Sequence, residues 1–363
     1  MVEKSFDENM MLRCLQLANQ ALGKTAPNPL VGCVIVKNRE IIGEGFHPQA
    51  GQPHAEVWAL EKAGEKAEGA TVYVNLEPCS HYGRTPPCVD ALIKAGVSKV
   101  VIGMIDPNPL VAGSGVAKLK AANIEVVVGV ESEACQTLNE AFVHRILHHR
   151  PFGILKYAMT LDGKIATTTG DSAWVTNPTA RSLVHELRAV TDAVIVGTQT
   201  VKQDNPYLTS RKEKEYNPLR VIMSRSLDLP LEANLWQIEE APTVIFTETG
   251  ANPTLQKHLQ ARGVEIVEML QLTPENVMAN LYERGLLTVL WECGETLAAR
   301  AIASGSVQKV WAFIAPKIIG GQLAPGPIGD LGLTEMARAI ALQKVNWQKV
   351  GDDFLITGYL QRG

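Results

Sequence analysis

His54, Cys79 and Cys88 are three soft-metal ligands, and Glu56 beside them is a carboxylate that the set does not need as a ligand. That combination describes a hydrolytic zinc site. A structural zinc site closes its coordination sphere with four protein ligands, whereas a catalytic one keeps three and leaves the fourth position to water. Glu56 follows His54 by two residues, in the expected first turn of a helix, where it can handle protons without binding the metal. Cys88 directly follows Pro86-Pro87 at another expected helix start. Helix N-termini favour the thiolate that zinc needs, and proline suits the first turn because its missing amide hydrogen would have no partner there. A structural zinc site is the competing reading, but it would have no use for Glu56. His47 and His81 are alternative ligands, although each is better read as facing a substrate pocket.

The order of these residues follows the zinc deaminase signature of His-x-Glu, then Pro-Cys, then a second Cys. In that signature two residues separate the cysteines, whereas here Ser80 to Pro87 intervene. The longer loop does not forbid closure, since Gly83 and Pro86 permit it to fold back. The other cysteines, Cys14, Cys33, Cys135 and Cys293, have no motif around them and read as small buried hydrophobes. Their scatter through a long chain is not a disulfide framework and fits a reducing compartment.

At 363 residues the chain is longer than most single cores, so two domains are expected. With 20% charged residues, 6% aromatics and a net charge of -4, no basic stripe stands out that would hold a phosphate backbone. Nucleic acid is therefore not an expected partner. Met1 to Glu8 carries acidic residues and no apolar core of signal-peptide length, and no run of about 18 apolar residues occurs. A cytoplasmic protein with no membrane partner is the expectation.

The elements that must position the ligands alternate between helical and extended patterns. An amphipathic helix over Glu8–Leu22 precedes strands at Val31–Val36 and Ile41–Phe46, a helix over Ala55–Ala63 and a strand at Thr71–Leu76. Helix Val89–Ala95, strand Lys99–Ile105, helix Val116–Ala122 and strand Glu125–Val130 follow as crossover units. One long polar helix is predicted from Ser132 to His148, ended by Pro151. The adjacent histidines at its end read as a solvated basic helix terminus rather than a metal pair. This gives domains 1–149 and 150–363. The second is again α/β, with strands beginning near Gly153, Ala193, Arg220, Thr243, Val264, Thr288 and Val310, and a last strand at Phe354–Leu360 to close it.

Beyond the zinc motif, four segments resemble the bifunctional deaminase and reductase family of riboflavin biosynthesis. They are Pro27-Asn28-Pro29-Leu30-Val31-Gly32, His54-Ala55-Glu56-Val57, Leu76 through Cys88, and Asp106-Pro107-Asn108-Pro109. In that family the long cysteine loop is the normal form, so the apparent oddity is specific evidence. The resemblance implies a cytidine-deaminase-like three-layer domain with one catalytic Zn2+ per chain, held by His54, Cys79 and Cys88, with Glu56 shuttling protons. It also implies substrate contacts from Asn28, His47, His81, Arg84, Thr85 and Asn108. Lys156 through Ala166 then looks like the start of the family's reductase domain, whose fold is similar to dihydrofolate reductase. Family positions suggest Ser172, Arg188, Leu208, Arg211 and Glu292 for the substrate, Ala158, Trp174, Thr200, Asp204 and Gly294 for NADPH, and Lys156 as a catalytic polar group beside the ribose. The implied substrates are phosphoribosylated pyrimidines, and the implied assembly is a homo-oligomer.

Two positions depart from the family pattern. Ser224 stands where an aspartate is common, and the following Arg225 resembles the dihydrofolate reductase anchor for the 2'-phosphate of NADPH, so Ser224 and Arg225 are expected to contact the cofactor. No Gly-x-Gly-x-x-Gly opens this domain, which removes the main support for a dinucleotide-binding fold of that type. Cys293 stands where glycine is frequent, which puts the local phosphate cradle in question. A deaminase with an impaired reductase half is one alternative. A tRNA or nucleoside deaminase would want a basic surface and a short cysteine loop, and a non-enzymatic zinc protein would not need Glu56.

Overall fold

The computed structural model describes residues 4–82, 86–211 and 216–361. The chain divides into two compact units, Met1–His149 and Arg150–Gly363. In the first, helix α1 spans Phe6–Asn19 and opens with a capping box, in which Ser5 Oγ accepts the Glu8 amide and the Glu8 carboxylate accepts the Ser5 amide. That box starts the helix before the amphipathic pattern shows it. Strands β1 (Gly32–Lys37) and β2 (Glu40–Phe46) form a hairpin whose turn residues Asn38 and Arg39 both have positive φ, as a two-residue turn of this type requires. Helix α2 (Ala55–Ala63), β3 (Thr71–Leu76), α3 (Cys88–Lys94), β4 (Lys99–Met104), α4 (Ser114–Ala121) and β5 (Glu125–Val128) follow.

The sheet order is β2-β1-β3-β4-β5, with β1 antiparallel to both neighbours and β3, β4 and β5 parallel. Apolar faces on both sides of this sheet are covered, one by α2, α3 and α4 around Ile35, Val74 and Ile102, the other by α1 around Met11, Val34 and Val101. Glycine is required in β2, where a Cβ on Gly45 would sit 2.4 Å from the carbonyl oxygen of Ala55. That close approach seats the start of α2, and with it His54 and Glu56, directly on the sheet.

The single helix expected over 132–148 is two helices, α5 (Ser132–Leu138) and α6 (Glu140–His148), broken at Asn139. The break has a physical reason. Asn139 is buried, and its side chain clasps Leu30 by accepting the Leu30 amide at 2.8 Å and donating to the Leu30 carbonyl at 3.0 Å. A buried amide must find such partners, and this one finds them across 109 residues of sequence.

Among its described residues the second unit holds one sheet of nine strands. Its elements are β6 (Phe152–Thr160), α7 (Pro178–Arg188), β7 (Ala193–Gly197), α8 (Thr198–Asp204), β8 (Leu219–Met223), β9 (Thr243–Glu248), α9 (Pro253–Ala261), β10 (Glu265–Met269) and α10 (Pro274–Glu283). They continue with β11 (Thr288–Trp291), α11 (Glu295–Ala303), β12 (Lys309–Ala315), β13 (Leu342–Val350) and β14 (Asp353–Leu360). The strand order is β10-β9-β8-β7-β11-β6-β12-β14-β13, parallel from β10 to β12 and antiparallel through β14 and β13. Trp291, Phe246 and Leu155 anchor the core on one face. The last strand expected from sequence is β14, which lies between β12 and β13; β13 is an edge strand, whose residues are exposed from Gln343 to Lys349 and so give no alternation to read.

Within β8, Arg220 is completely buried, and its guanidinium donates to the carbonyls of Gln237 at 2.8 Å and Ala241 at 2.6 Å, and more weakly to Tyr207 and Asn234 at 3.4 Å each. Burial pulls its pKa down to about 10. The side chain ties the segment that includes Tyr207 to the sheet.

Candidate active sites

In the first unit, the N-terminal ends of α2 and α3 meet the C-terminal end of β3. His54 is the N-cap of α2 but makes no side-chain cap, which leaves its ring available. Its Nδ1 lies 3.2 Å from Cys88 Sγ and 3.6 Å from Cys79 Sγ. Tetrahedral zinc with bonds of about 2.3 Å to sulfur and about 2.05 Å to nitrogen separates such donors by roughly 3.5 Å. The three side chains therefore fit that ion in type and in spacing. All three ligand atoms lie within 4.8 Å of one another.

The two sulfurs also suit a shared cation. The thiol and amide of Cys88 both lie against Cys79, which pulls the Cys79 thiol well down and pushes the Cys88 thiol up. Two adjacent thiols cannot both ionise without a positive charge between them. Glu56 stands apart from this pair in role. It is 3% exposed, and burial, followed by the charge of Cys79, raises its carboxyl above the usual range.

Around the cluster, His47 is buried with both ring nitrogens engaged, Nδ1 to the Pro53 carbonyl at 3.2 Å and Nε2 to the Asn28 amide nitrogen at 3.0 Å. It lies outside the ligand set, and its hydrogen bond turns the Asn28 carbonyl oxygen away from it. The segment carrying Asn28 is pinned by Asn139 and by Asn75, which accepts the Gly32 amide at 2.8 Å and donates to the Leu30 carbonyl at 2.9 Å. Neither buried asparagine was expected to matter, because partners so distant in sequence leave no local signal. His81 is exposed, and Asn108 is half-buried with its carbonyl oxygen accepting the Leu110 amide at 3.1 Å. Arg84 and Thr85 lie outside the described residues.

In the second unit a cleft of about 1680 Å³ opens at the carboxyl ends of β7, β8 and β11 and along β6. Parallel sheets bind ligands at such ends. The cleft is lined by Lys156, Ala158, Ser172, Trp174, Arg188, Thr200, Asp204, Leu208, Arg211, Arg225, Glu292 and Gly294, all expected from sequence. Ser224, also expected there, does not line it: its side chain is buried, and its hydroxyl accepts that of Thr198 at 3.0 Å. Leu208 is buried with a φ of 55°, an uncommon conformation for a bulky side chain that recurs where a chain lines a site. Cys293 has no left-handed backbone, so its conformation does not demand glycine.

Glu292 is the electrostatic centre of this cleft. Arg188 holds it with two hydrogen bonds, Nε at 2.6 Å and Nη2 at 3.0 Å, and Lys156 Nζ lies 3.6 Å away. Burial works against the carboxylate, but Arg188 and then Lys156 outweigh it and hold its pKa down to about 2. Lys156 shares that one carboxylate with Arg188, and burial lowers its own pKa. His185, one turn before Arg188, also lines the cleft, and its Nδ1 lies 3.5 Å from Arg188 Nη1. Burial, Arg188 and Arg211 push it down to about 4. Sequence reading missed His185, although its i, i+3 relation to Arg188 places the two on one helix face.

Residues 4–104 match the family model described as the cytidine and deoxycytidylate deaminase zinc-binding region. Residues 151–356 match the RibD C-terminal domain. The chain belongs to the RibD family. Its similarity to the riboflavin biosynthesis protein RibD of Synechocystis sp. is 60% identity over 354 residues, covering 98% of this chain and 96% of that protein. RibD of Aquifex aeolicus is 43% identical, covering 97% and 98%. The chloroplastic protein PYRR of Arabidopsis thaliana is 44% identical, but this chain spans only 61% of its length. Among solved structures, Acinetobacter baumannii RibD superimposes with a TM-score of 0.88 at 38% identity, covering 98% and 99% of the two chains. A Thermotoga maritima protein described as a diaminohydroxyphosphoribosylaminopyrimidine deaminase and 5-amino-6-(5-phosphoribosylamino)uracil reductase does so with 0.88 at 39% identity, with the same coverage. Like its family, the chain is a bifunctional enzyme of riboflavin biosynthesis, a deaminase domain joined to a reductase domain.

Proposed function

We propose that the unit over 1–149 hydrolyses an amine from 2,5-diamino-6-(5-phosphoribosylamino)pyrimidin-4-one. The unit over 150–363 then uses NADPH to reduce the ribosyl chain of 5-amino-6-(5-phosphoribosylamino)uracil to ribityl. The observation that carries this reading is the pairing, in one chain, of a three-ligand cluster beside a buried unbound carboxylate with a cation-lined cleft.

In the first reaction His54, Cys79 and Cys88 hold one zinc, which supplies an activated water for hydrolysis when bound. Glu56 accepts a proton from the attacking water and returns it to the amine, which leaves as ammonia. Its raised pKa suits a group that must both take and give a proton. Asn28, held by His47, offers its carbonyl oxygen to the pyrimidine edge. His81, Asn108, Arg84 and Thr85 complete the substrate contacts, with Arg84 suited to the phosphate.

The cleft of the second unit, at about 1680 Å³, exceeds the roughly 300–1,000 Å³ typical of a single-ligand pocket, so it can take cofactor and substrate together. Gly294 N-caps α11 and a Cβ there would meet nothing within 4 Å, so the helix amides face open space suited to a pyrophosphate. NADPH supplies the hydride when bound. Lys156, steadied by Glu292, supplies the accompanying proton beside the ribose. Ser172, Leu208, Arg211 and Arg188 serve the substrate, and Ala158, Trp174, Thr200 and Asp204 serve the cofactor. The six free cysteines fit a reducing compartment such as the cytosol, and no helix among the described residues is long and apolar enough to cross a membrane. Homo-oligomerisation is supported by the edge strand β13, where Trp347 is 70% exposed, and sedimentation at micromolar concentration reports it.

Arg225 selects the cofactor in this account. Its side chain is 57% exposed at the cleft, 3.4 Å from Glu248, and can exchange that partner for a 2'-phosphate. Arg225→Ala is expected to raise the KM for NADPH by about 10- to 100-fold, the worth of a hydrogen bond to a charged group, and to leave the KM for NADH nearly unchanged. An unaltered NADPH KM removes this assignment.

A further inference from the structure

Directly after the strand that leads to Cys79 stands a second buried carboxylate, Glu77, which the zinc reading does not use. Its Oε2 accepts the amides of Asp106 at 3.1 Å and Gly113 at 2.9 Å, and its Oε1 accepts those of Gly115 at 2.9 Å and Val116 at 3.2 Å. These four donors are backbone groups of the β4–α4 loop and the first turn of α4. An anion there also meets the positive end of that helix. Buried carboxylates persist only with such partners.

The same two segments are joined again on the far side of Cys79. Ser80 Oγ lies 2.5 Å from Ser114 Oγ, and Lys118 Nζ donates to the Ser80 carbonyl at 2.6 Å. Between these joins a Cβ on Gly115 would sit 2.4 Å from the Pro78 carbonyl oxygen, so the two backbones are in direct contact. The held loop carries Asp106 and Asn108, and Asp106 Oδ1 in turn accepts the Asn108 amide at 2.8 Å. One carboxylate thus fixes a metal-ligand segment and a substrate-facing segment to each other.

We propose that Glu77 is a positioning residue for deamination, setting the spacing between Cys79 and the loop that presents Asn108 to the pyrimidine. This rests on the deaminase reading above. Glu77→Gln keeps the shape of the side chain but points an NH2 group at two amide donors, which breaks half of the clamp. Glu77→Asp keeps the charge and shortens the reach.

The test uses the full chain, at a temperature far below its unfolding midpoint, and reads deaminase KM and kcat, metal content, NADPH-dependent reduction of separately supplied uracil substrate, and the thiolate-to-metal absorption of cobalt-substituted protein. Glu77→Gln is expected to raise the deaminase KM at least tenfold and shift the cobalt band, with one metal per chain and normal reduction, and Glu77→Asp to lie between it and wild type. Unchanged KM, kcat and cobalt band in Glu77→Gln overturn the proposal even if the variant melts earlier. If Glu77→Gln does not fold, an Asp variant with wild-type KM and band overturns it equally. If wild type releases no ammonia, the deaminase reading fails instead, and the cobalt band alone decides for or against the positioning of Cys79.

Discussion

Replacing Glu56 with glutamine is expected to lower deaminase kcat by about 10²- to 10⁴-fold, the usual contribution of a positioned general acid–base. The same protein should retain its zinc and its full reductase activity. Glu56 is 3% exposed in the first turn of α2, two residues after His54, and glutamine fills the same space without being able to carry the proton. Because His54, Cys79 and Cys88 are untouched, metal analysis should still find close to one equivalent per chain. Loss of zinc on this substitution would mean that Glu56 is a ligand, and full activity would mean that protons reach the amine by another route. Reduction measured on the same sample serves as the internal control for folding.

The second large effect is expected at Glu292. Its carboxylate is the shared counterion of Arg188 and Lys156, and the three side chains are only 8%, 13% and 17% exposed. Glu292→Ala leaves two cations buried without an anion, which should cost about 3–5 kcal/mol of the second unit's stability and abolish reduction. Chemical denaturation followed by a probe in that unit measures the first, and NADPH oxidation the second, while deamination persists. The pH dependence follows from the direction of the shift. A carboxylate held at about 2 contributes stability that is present above its unfolded value near 4.5 and is lost as pH falls through about 2. Wild type should therefore lose stability across that acid window more steeply than Glu292→Gln. Equal acid profiles would remove Glu292 from its place at the centre of the cleft.

How much of this was legible in the sequence depends on how far each residue reaches. His54, Glu56, Cys79 and Cys88 declare themselves by type and order, because zinc hydrolysis restricts both. Alternating elements were legible for the same kind of reason, since each buries a local face. Asn139 was not: its neighbours in sequence are helical, and only its bonds to distant Leu30 show why the helix breaks there. Asn75 and Glu77 are similar, polar residues at the end of a buried strand whose partners belong to other loops. β13 escaped because an exposed edge strand has no buried face to betray it. Ser224 and Arg225 were read together, but successive residues at a strand end point opposite ways, so the Arg225 side chain lines the cleft while that of Ser224 is buried.

In this reading one chain performs two chemistries in order. The most direct measurement incubates the purified chain with the diaminopyrimidine ribonucleotide and NADPH and follows ammonia and nicotinamide absorbance separately. Ammonia should appear first, and NADPH oxidation should lag behind it and reach an equal amount. Ammonia release with no NADPH oxidation would contradict the two-step account and leave a deaminase alone, and the absence of both signals would contradict the account of either site.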